Sequence, residues 1–260
     1  MRSICGQESE FHRTMLSGVA TGPGQPVTAN KSSTHFSWHL FGAEVITKSM
    51  SKIFLVRHAE SIANTEGRYQ GQSYDTQLSQ LGEHQAHALA NHLRRLSLDR
   101  VITSPLRRTF QTAHTSAVHH GLFTIKEPRL IESNHGLWES LTKEEVASAW
   151  PDVYHSWQTQ PSDTVFPQGE PFLATCERVL SWWKEIILLE GHTLVVTHDN
   201  IIRIILTHIL DYPLDKLWLF KLQPAAITTI EHELGQIIKV DINSTDHLQN
   251  LQSNLALHAL

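Results

Sequence analysis

Three short stretches of this 260-residue chain carry side chains suited to one kind of chemistry. They are Arg57-His58-Ala59-Glu60-Ser61, Ser104-Pro105-Leu106-Arg107-Arg108 and His198-Asp199-Asn200. Each directly follows a short apolar run of strand type: Ile53-Phe54-Leu55-Val56, Val101-Ile102 and Thr193–Thr197. Arginine offers a planar fork of donors matched to phosphate oxygens, and a neutral imidazole is a nucleophile near pH 7. Gathered on one edge, these groups suit a phosphate dianion, each charge-assisted hydrogen bond contributing roughly 1.5–3 kcal/mol. A helix opening near Asp199 adds backbone donors and the positive end of its dipole. A lone Arg-His pair means little. Three strand ends that each deliver a cation or an imidazole are harder to dismiss, because parallel α/β sheets bind ligands beyond the carboxyl ends of their strands.

The elements between these stretches alternate as such a sheet requires. Ser79 to Leu96 has helical spacing with Ser79 as its N-cap, and Pro105 opens a helix to about His119. An extended segment at 123–125 follows, then a turn-rich passage to Trp138. Phe172 to Leu189 and Ile201 to Leu210 are further helices, and Ile227–Glu231 with Gln236–Asp241 form a closing hairpin around Leu234-Gly235. Strand and helix in alternation predict a layered α/β fold with a mainly parallel sheet, spanning residues 50–242. Residues 1–49, broken by Gly and Pro, are expected to be a flexible extension; a start at Met50 and an organellar transit segment are the alternatives. Residues 243–260 are expected to be a C-terminal tail.

Composition narrows the function. Hydrophobic residues make up 40% and charged residues 18%, enough apolar sequence for a globular core. The net charge of −5 and the lack of a basic run argue against nucleic acid. Nothing is apolar over the length that spans a bilayer. Cys5 and Cys176 provide neither a disulfide framework nor metal-ligand spacing, which suits a reducing compartment, here the cytoplasm. The sequons at Asn30 and Asn243 are read as chance. The 18 histidines raise a metal site, but no HExxH occurs, and His84 with His87 or His119 with His120 lack partners. No metal or other cofactor is expected.

Taken in order, these motifs resemble those of the histidine phosphatase, or phosphoglycerate mutase-like, superfamily. Arg57-His58-Ala59-Glu60 is similar to its Arg-His-Gly-Glu signature, and the likeness continues through Asn64, Arg68-Tyr69-Gln70-Gly71 and Leu78–Gly82. Ser104–Ala113 resembles its second arginine motif, Leu130-Ile131-Glu132 with Gly136–Glu139 its acid motif, and Val195–His198 its second histidine motif. The segment from Pro167-Gln168-Gly169-Glu170 through Arg178 is also similar. The likeness covers roughly residues 52–241. It implies a three-layer αβα sandwich and a phosphohistidine intermediate. By it His58 is the nucleophile, Arg57, Arg107 and His198 hold the phosphate, Asn64 adds a donor, and Glu132 is general acid and base. Gln70 and Gly71 would line the pocket. Arg108 would be a solvated neighbour of Arg107.

Two departures stand out. Ala59 replaces the usual glycine, and Asp199-Asn200 stand where glycines are common. A carboxylate at Asp199 would repel phosphate, unless it caps the following helix and pairs with Arg203 four residues on. Glu139 competes with Glu132 for the acid role on residue type alone. Trp150 and Trp157 are core or pocket-cover candidates. The short interval from Glu132 to His198 favours a phosphatase of small phosphate esters over a mutase. A non-catalytic phosphate-binding module and a metal-dependent hydrolase are the competing readings. The oligomeric state is left open.

Overall fold

Alternate side chains of the first strand point to opposite faces, and both faces are covered. The computed structural model describes residues 50–259, in which β1 is Ser51–Arg57, β2 Arg100–Thr103, β3 Thr124–Lys126, β4 His192–Thr197, β5 Ile227–Glu233 and β6 Gln236–Ser244. From β1, Ile53 and Leu55 enter one apolar cluster while Phe54 and Val56 enter another. A strand buried on both sides needs continuous apolar sequence, which explains the unbroken run Ile53–Val56.

The helices are α1 Ile62–Thr65, α2 Gln80–Leu93, α3 Arg107–His119, α4 Lys143–Ala149, α5 Pro151–Thr159, α6 Phe172–Ile186 and α7 Asp199–Ile209. Leu89 and Leu93 of α2 and Ala113 and Ala117 of α3 pack with Phe54 and Val56. Phe172, Val179, Trp182 and Trp183 of α6 and Ile201 and Ile205 of α7 pack with Ile53 and Leu55. The result is the expected three-layer αβα arrangement. Among the described residues no helix is long and apolar enough to cross a membrane.

The sheet has six strands in the order β3-β2-β4-β1-β5-β6. β3, β2, β4 and β1 are parallel; β5 and β6 run antiparallel as the closing hairpin. Because β2, β4 and β1 are neighbours and parallel, the three motif-bearing ends lie side by side. Backbone bonds tie them together: His58 N–H donates to the Thr197 carbonyl at 2.9 Å, and Ser104 N–H to the Val196 carbonyl at 3.1 Å.

Local boundaries follow capping chemistry. Ser79 caps α2 as expected, its hydroxyl accepting from Gly82 N–H at 3.0 Å. α3 begins two residues later than the expected Pro105, with Leu106 at its cap. The expected strand at 123–125 is displaced by one residue. The expected extension at 1–49, its alternatives, Cys5 and the Asn30 sequon lie outside the described residues.

The C-terminal boundary needs correction. β6 runs through Ser244, beyond residue 242, and the segment after it packs against the domain rather than forming a tail. Leu248 is fully buried beside Ala59, Leu78, Ala86 and Ala225. The Gln85 amide donates to the Leu251 carbonyl at 2.7 Å and to the Ser253 hydroxyl at 3.0 Å. Leu248 and Leu251 are only weakly periodic in sequence, so their partners were invisible without the fold.

Leu55 sits at the centre of the sheet with no exposure. Leu55→Ala is expected to lower the unfolding free energy by about 2–5 kcal/mol through lost burial and a residual cavity. The shift in denaturant midpoint measures it.

Candidate active site

The loop after β1 presents His58 in a defined tautomer. Its Nδ1–H donates to the Ala59 carbonyl at 2.8 Å, because a carbonyl can only accept. Nε2 therefore carries the lone pair. Burial, then the nearby Arg108 and Arg57 charges, push the His58 pKa well below its ordinary value, so the ring stays neutral. The His198 ring stands 5.4 Å away, edge to face, with Nε2 hydrogen-bonded to the Ser104 hydroxyl at 2.8 Å. Burial and then Arg108 lower its pKa too.

The second arginine is Arg108, which corrects the expectation of Arg107. Arg107 is exposed, and its backbone N–H, at the first turn of α3, donates to Asp75 Oδ2 at 2.7 Å. Arg108 is 1% exposed and its guanidinium reaches into the site. Nη1 donates to Asp75 Oδ1 at 3.1 Å and Nη2 to the Gly71 carbonyl at 3.0 Å. A signal for this existed: the inward face of α3 carries Arg108, Thr109, Thr112, Ala113, Ser116 and Ala117, a helical phase that excludes residue 107. Gly71 adopts φ +56°, and a Cβ there would collide with the Glu139 carboxylate. That position needs glycine.

Arg57 is also buried, its Nη1 donating to the Leu222 carbonyl at 2.7 Å and its Nη2 to His258 Nδ1 at 3.3 Å. Ser61 and Asn64 form a reciprocal cap on α1, with Ser61 N–H on Asn64 Oδ1 at 3.1 Å. That occupies the amide oxygen of Asn64 and leaves its NH2 for a ligand. Gln70 joins the same cluster, accepting from the Ser61 hydroxyl at 2.8 Å.

Glu132 and Glu139 separate clearly. Glu139 accepts backbone N–H groups from Gln72, Ser73, Tyr74 and His135, and the Ser73 hydroxyl. It ties the loop around residues 72–74 to the acid motif. Glu132 is buried and accepts Ser133 N–H at 2.8 Å. Burial raises its pKa to about 7, opposed by the Ser133 bond and Arg108 and aided by Asp199. Arg178 of α6 holds this loop, donating to the Arg129, Ile131 and Glu132 carbonyls and to Glu170.

Asp199 is the first residue of α7, and His198 holds the cap position. The expected pairing is present: Asp199 Oδ2 lies 2.8 Å from Arg203 Nη2. Trp157 is core, wedged among Phe166, Phe172 and Trp218, whereas Trp150 is only partly buried.

One small cavity joins Arg57, His58, Asn64, Gln70, Gly71, Arg108, Glu132 and Asp199, and Arg68, Tyr69, His135 and Ala259 complete its wall. Sequence reasoning missed His135 and Ala259. The His135 ring is buried against Tyr69 and Phe166, and that burial lowers its pKa. The cavity's free volume is about 10 Å³, room for roughly one water. Beyond His258 and Ala259 a second space of about 390 Å³ opens, walled by Tyr69, Tyr154, Trp157 and Trp218. Residues 255–259 thus separate the reactive groups from the larger space. Among the described residues no cluster of three or more His, Cys, Asp or Glu is arranged to hold a metal ion.

A neutral imidazole with a free Nε2, flanked by a second imidazole, two buried arginines and a protonatable glutamate, at the parallel strand ends of an αβα sandwich, is the arrangement of a histidine phosphatase. The chain belongs to that superfamily: the profile of the histidine phosphatase superfamily (branch 1) matches residues 53–245. Phosphoserine phosphatase 1 of Hydrogenobacter thermophilus is 36% identical over 201 residues, covering 76% of this chain and 95% of its own length. A probable phosphoglycerate mutase GpmB of Escherichia fergusonii is 32% identical over 198 residues, covering 72% and 87%. The solved structure of Bacillus stearothermophilus YhfR shares the fold with a TM-score of 0.71 at 28% identity, covering 76% of this chain and 99% of that one.

Three substitutions test the site. Arg108→Lys is expected to lower kcat/KM for a phosphate ester by about 100-fold, since a bidentate fork is lost, and Arg107→Ala to change it by less than about threefold. Glu132 also costs stability. Its folded pKa lies above the unfolded carboxyl value, so stability falls as pH rises from about 4.5 to about 7 and the loss is complete above that. Glu132→Gln is expected to raise stability at pH 8 by on the order of 2–3 kcal/mol and to do little at pH 4, read from urea unfolding at both.

Proposed function

We propose that the protein is a phosphatase that hydrolyses small-molecule phosphate monoesters through a phosphohistidine on His58, with phosphoserine as the leading substrate. The observation that carries this is the His58 ring itself: neutral, its Nδ1–H committed to the Ala59 carbonyl, its Nε2 free beside Arg57, Arg108 and His198. The relative named as a phosphoserine phosphatase, matched over nearly its full length, supports the substrate.

The chemistry follows from these positions. Phosphate oxygens take hydrogen bonds from Arg57, Arg108 and the Asn64 NH2, with His198 and the first N–H groups of α7 alongside. Nε2 of His58 attacks phosphorus as the ester P–O bond breaks, and the Glu132 proton passes to the leaving alkoxide. A carboxyl with a pKa of about 7 still holds that proton at neutral pH. The Glu132 carboxylate then takes a proton from water, whose oxygen attacks phosphorus and breaks the P–N bond. Phosphate leaves, and Glu132 and His58 return to their starting states. Phosphoryl transfer asks little of the protein beyond positioning and charge stabilisation, and no step in this cycle calls for a metal or other cofactor.

A phosphomutase is the second reading, favoured by the relatives named as probable phosphoglycerate mutases. The two readings share the intermediate and differ in the acceptor. Incubation with O-phosphoserine in excess EDTA is expected to release inorganic phosphate, at a rate that falls at least about 1000-fold in His58→Ala. Acid-labile phosphate is expected on the wild-type protein after a rapid quench and absent from the variant. Activity lost to EDTA would exclude a metal-free cycle. Conversion of 3-phosphoglycerate to 2-phosphoglycerate, faster than phosphate release, would establish the mutase.

A further inference from the structure

One carboxylate in the cavity is unaccounted for by phosphate binding. Asp199 lies on the cavity wall with its side chain 2% exposed. A buried anion beside a phosphate dianion opposes binding, and the family resemblance gives this position no carboxylate. Its two oxygens differ. Oδ2 is paired with Arg203 at 2.8 Å, and the Arg203 guanidinium is stacked 4.6 Å over Trp218. Oδ1 faces Arg57 Nη1 across 3.7 Å, beyond hydrogen-bond reach, because that nitrogen is directed to the Leu222 carbonyl at 2.7 Å. Arg57 Nη2 is directed to His258. Among the described residues neither oxygen has a hydrogen-bond donor; Oδ2 has the close Arg203 charge, and Oδ1 has only Arg57 at the longer distance. A buried acceptor left in this state usually marks a missing partner.

We propose that Asp199 is a specificity-determining residue whose open carboxylate oxygen accepts the ammonium group of an α-amino-acid phosphate. The inference rests on the phosphatase reading and narrows its substrate class. In O-phosphoserine the ammonium sits two carbons from the ester oxygen, so with residues 255–259 displaced the phosphate and the ammonium fall within one compact site. With the phosphate on Arg57 and Arg108, a donor that brings its own positive charge turns the Asp199 repulsion into attraction. 3-Phosphoglycerate matches O-phosphoserine closely in shape but carries a hydroxyl in place of the ammonium. It meets the same carboxylate without a compensating charge. Charge is what the site distinguishes.

The test compares kcat/KM for O-phosphoserine and 3-phosphoglycerate in the wild type, Asp199→Asn and Asp199→Thr. The wild type is expected to favour O-phosphoserine by about tenfold or more, the range of one charge-assisted hydrogen bond. Both variants are expected to reduce that ratio by about tenfold, losing O-phosphoserine and holding or gaining 3-phosphoglycerate. Two variants of different shape guard against a folding defect in either, because a misfolded protein loses both substrates together and leaves the ratio intact. A ratio unchanged in variants that keep wild-type turnover of an aryl phosphate, and so are folded, overturns the proposal, as does a wild type that prefers 3-phosphoglycerate. Hydrolysis of an aryl phosphate with no turnover of O-phosphoserine overturns the role of Asp199 and leaves the phosphatase standing. Failure on the aryl phosphate as well removes both.

Discussion

The structure is organised around positive charge kept out of water. Arg57, Arg108 and Arg203 are all buried, and desolvating a guanidinium is costly unless its donors are matched. Each has a different answer. Arg108 is held by Asp75 and the Gly71 carbonyl, Arg57 by the Leu222 carbonyl and His258, and Arg203 by Asp199 and the face of Trp218. Nε of each remains without a hydrogen-bond partner among the described residues. Charges fixed in this way need little reorganisation when an anion arrives, which is where a phosphate site obtains its advantage over water.

The same desolvation and charge set the protonation states of the groups around the cavity. Burial and neighbouring guanidinium groups keep His58 and His198 neutral, so the lone pair on Nε2 is available. Burial acts on Glu132 in the opposite sense, holding its proton to about pH 7. One desolvated pocket thus favours the neutral form of both the imidazole and the carboxyl, lowering one pKa and raising the other. Glu139 is surrounded instead by backbone N–H groups. The two glutamates share a motif but not an environment.

Residues 255–259 lie between this pocket and the larger space beyond it. The segment after β6 is anchored at its base by Leu248 in the core and by Gln85, while its tip lies against Arg57 through His258. A substrate larger than a water must displace that tip or share the space with it. The aromatic chamber beyond, lined by Tyr69, Tyr154, Trp157 and Trp218, is the nearest volume that could hold a displaced segment or the body of a substrate.

The alternation of apolar strands and amphipathic helices determined the layered sheet, because a strand covered on both faces must be apolar throughout. Placement of His58, the Ser104–Arg108 stretch and His198 near one edge followed, since parallel strands carry their carboxyl ends to the same side. The choice between neighbours was a different matter. Arg107 and Arg108 are chemically identical, and only the rotation of α3 on the sheet turns the second inward. Glu132 and Glu139 are likewise separated by the path of the loop at 72–74. His258 reaches Arg57 across 201 positions, a contact that no local spacing encodes. Local pattern decides which residues can share a face; packing in three dimensions decides which of them meet.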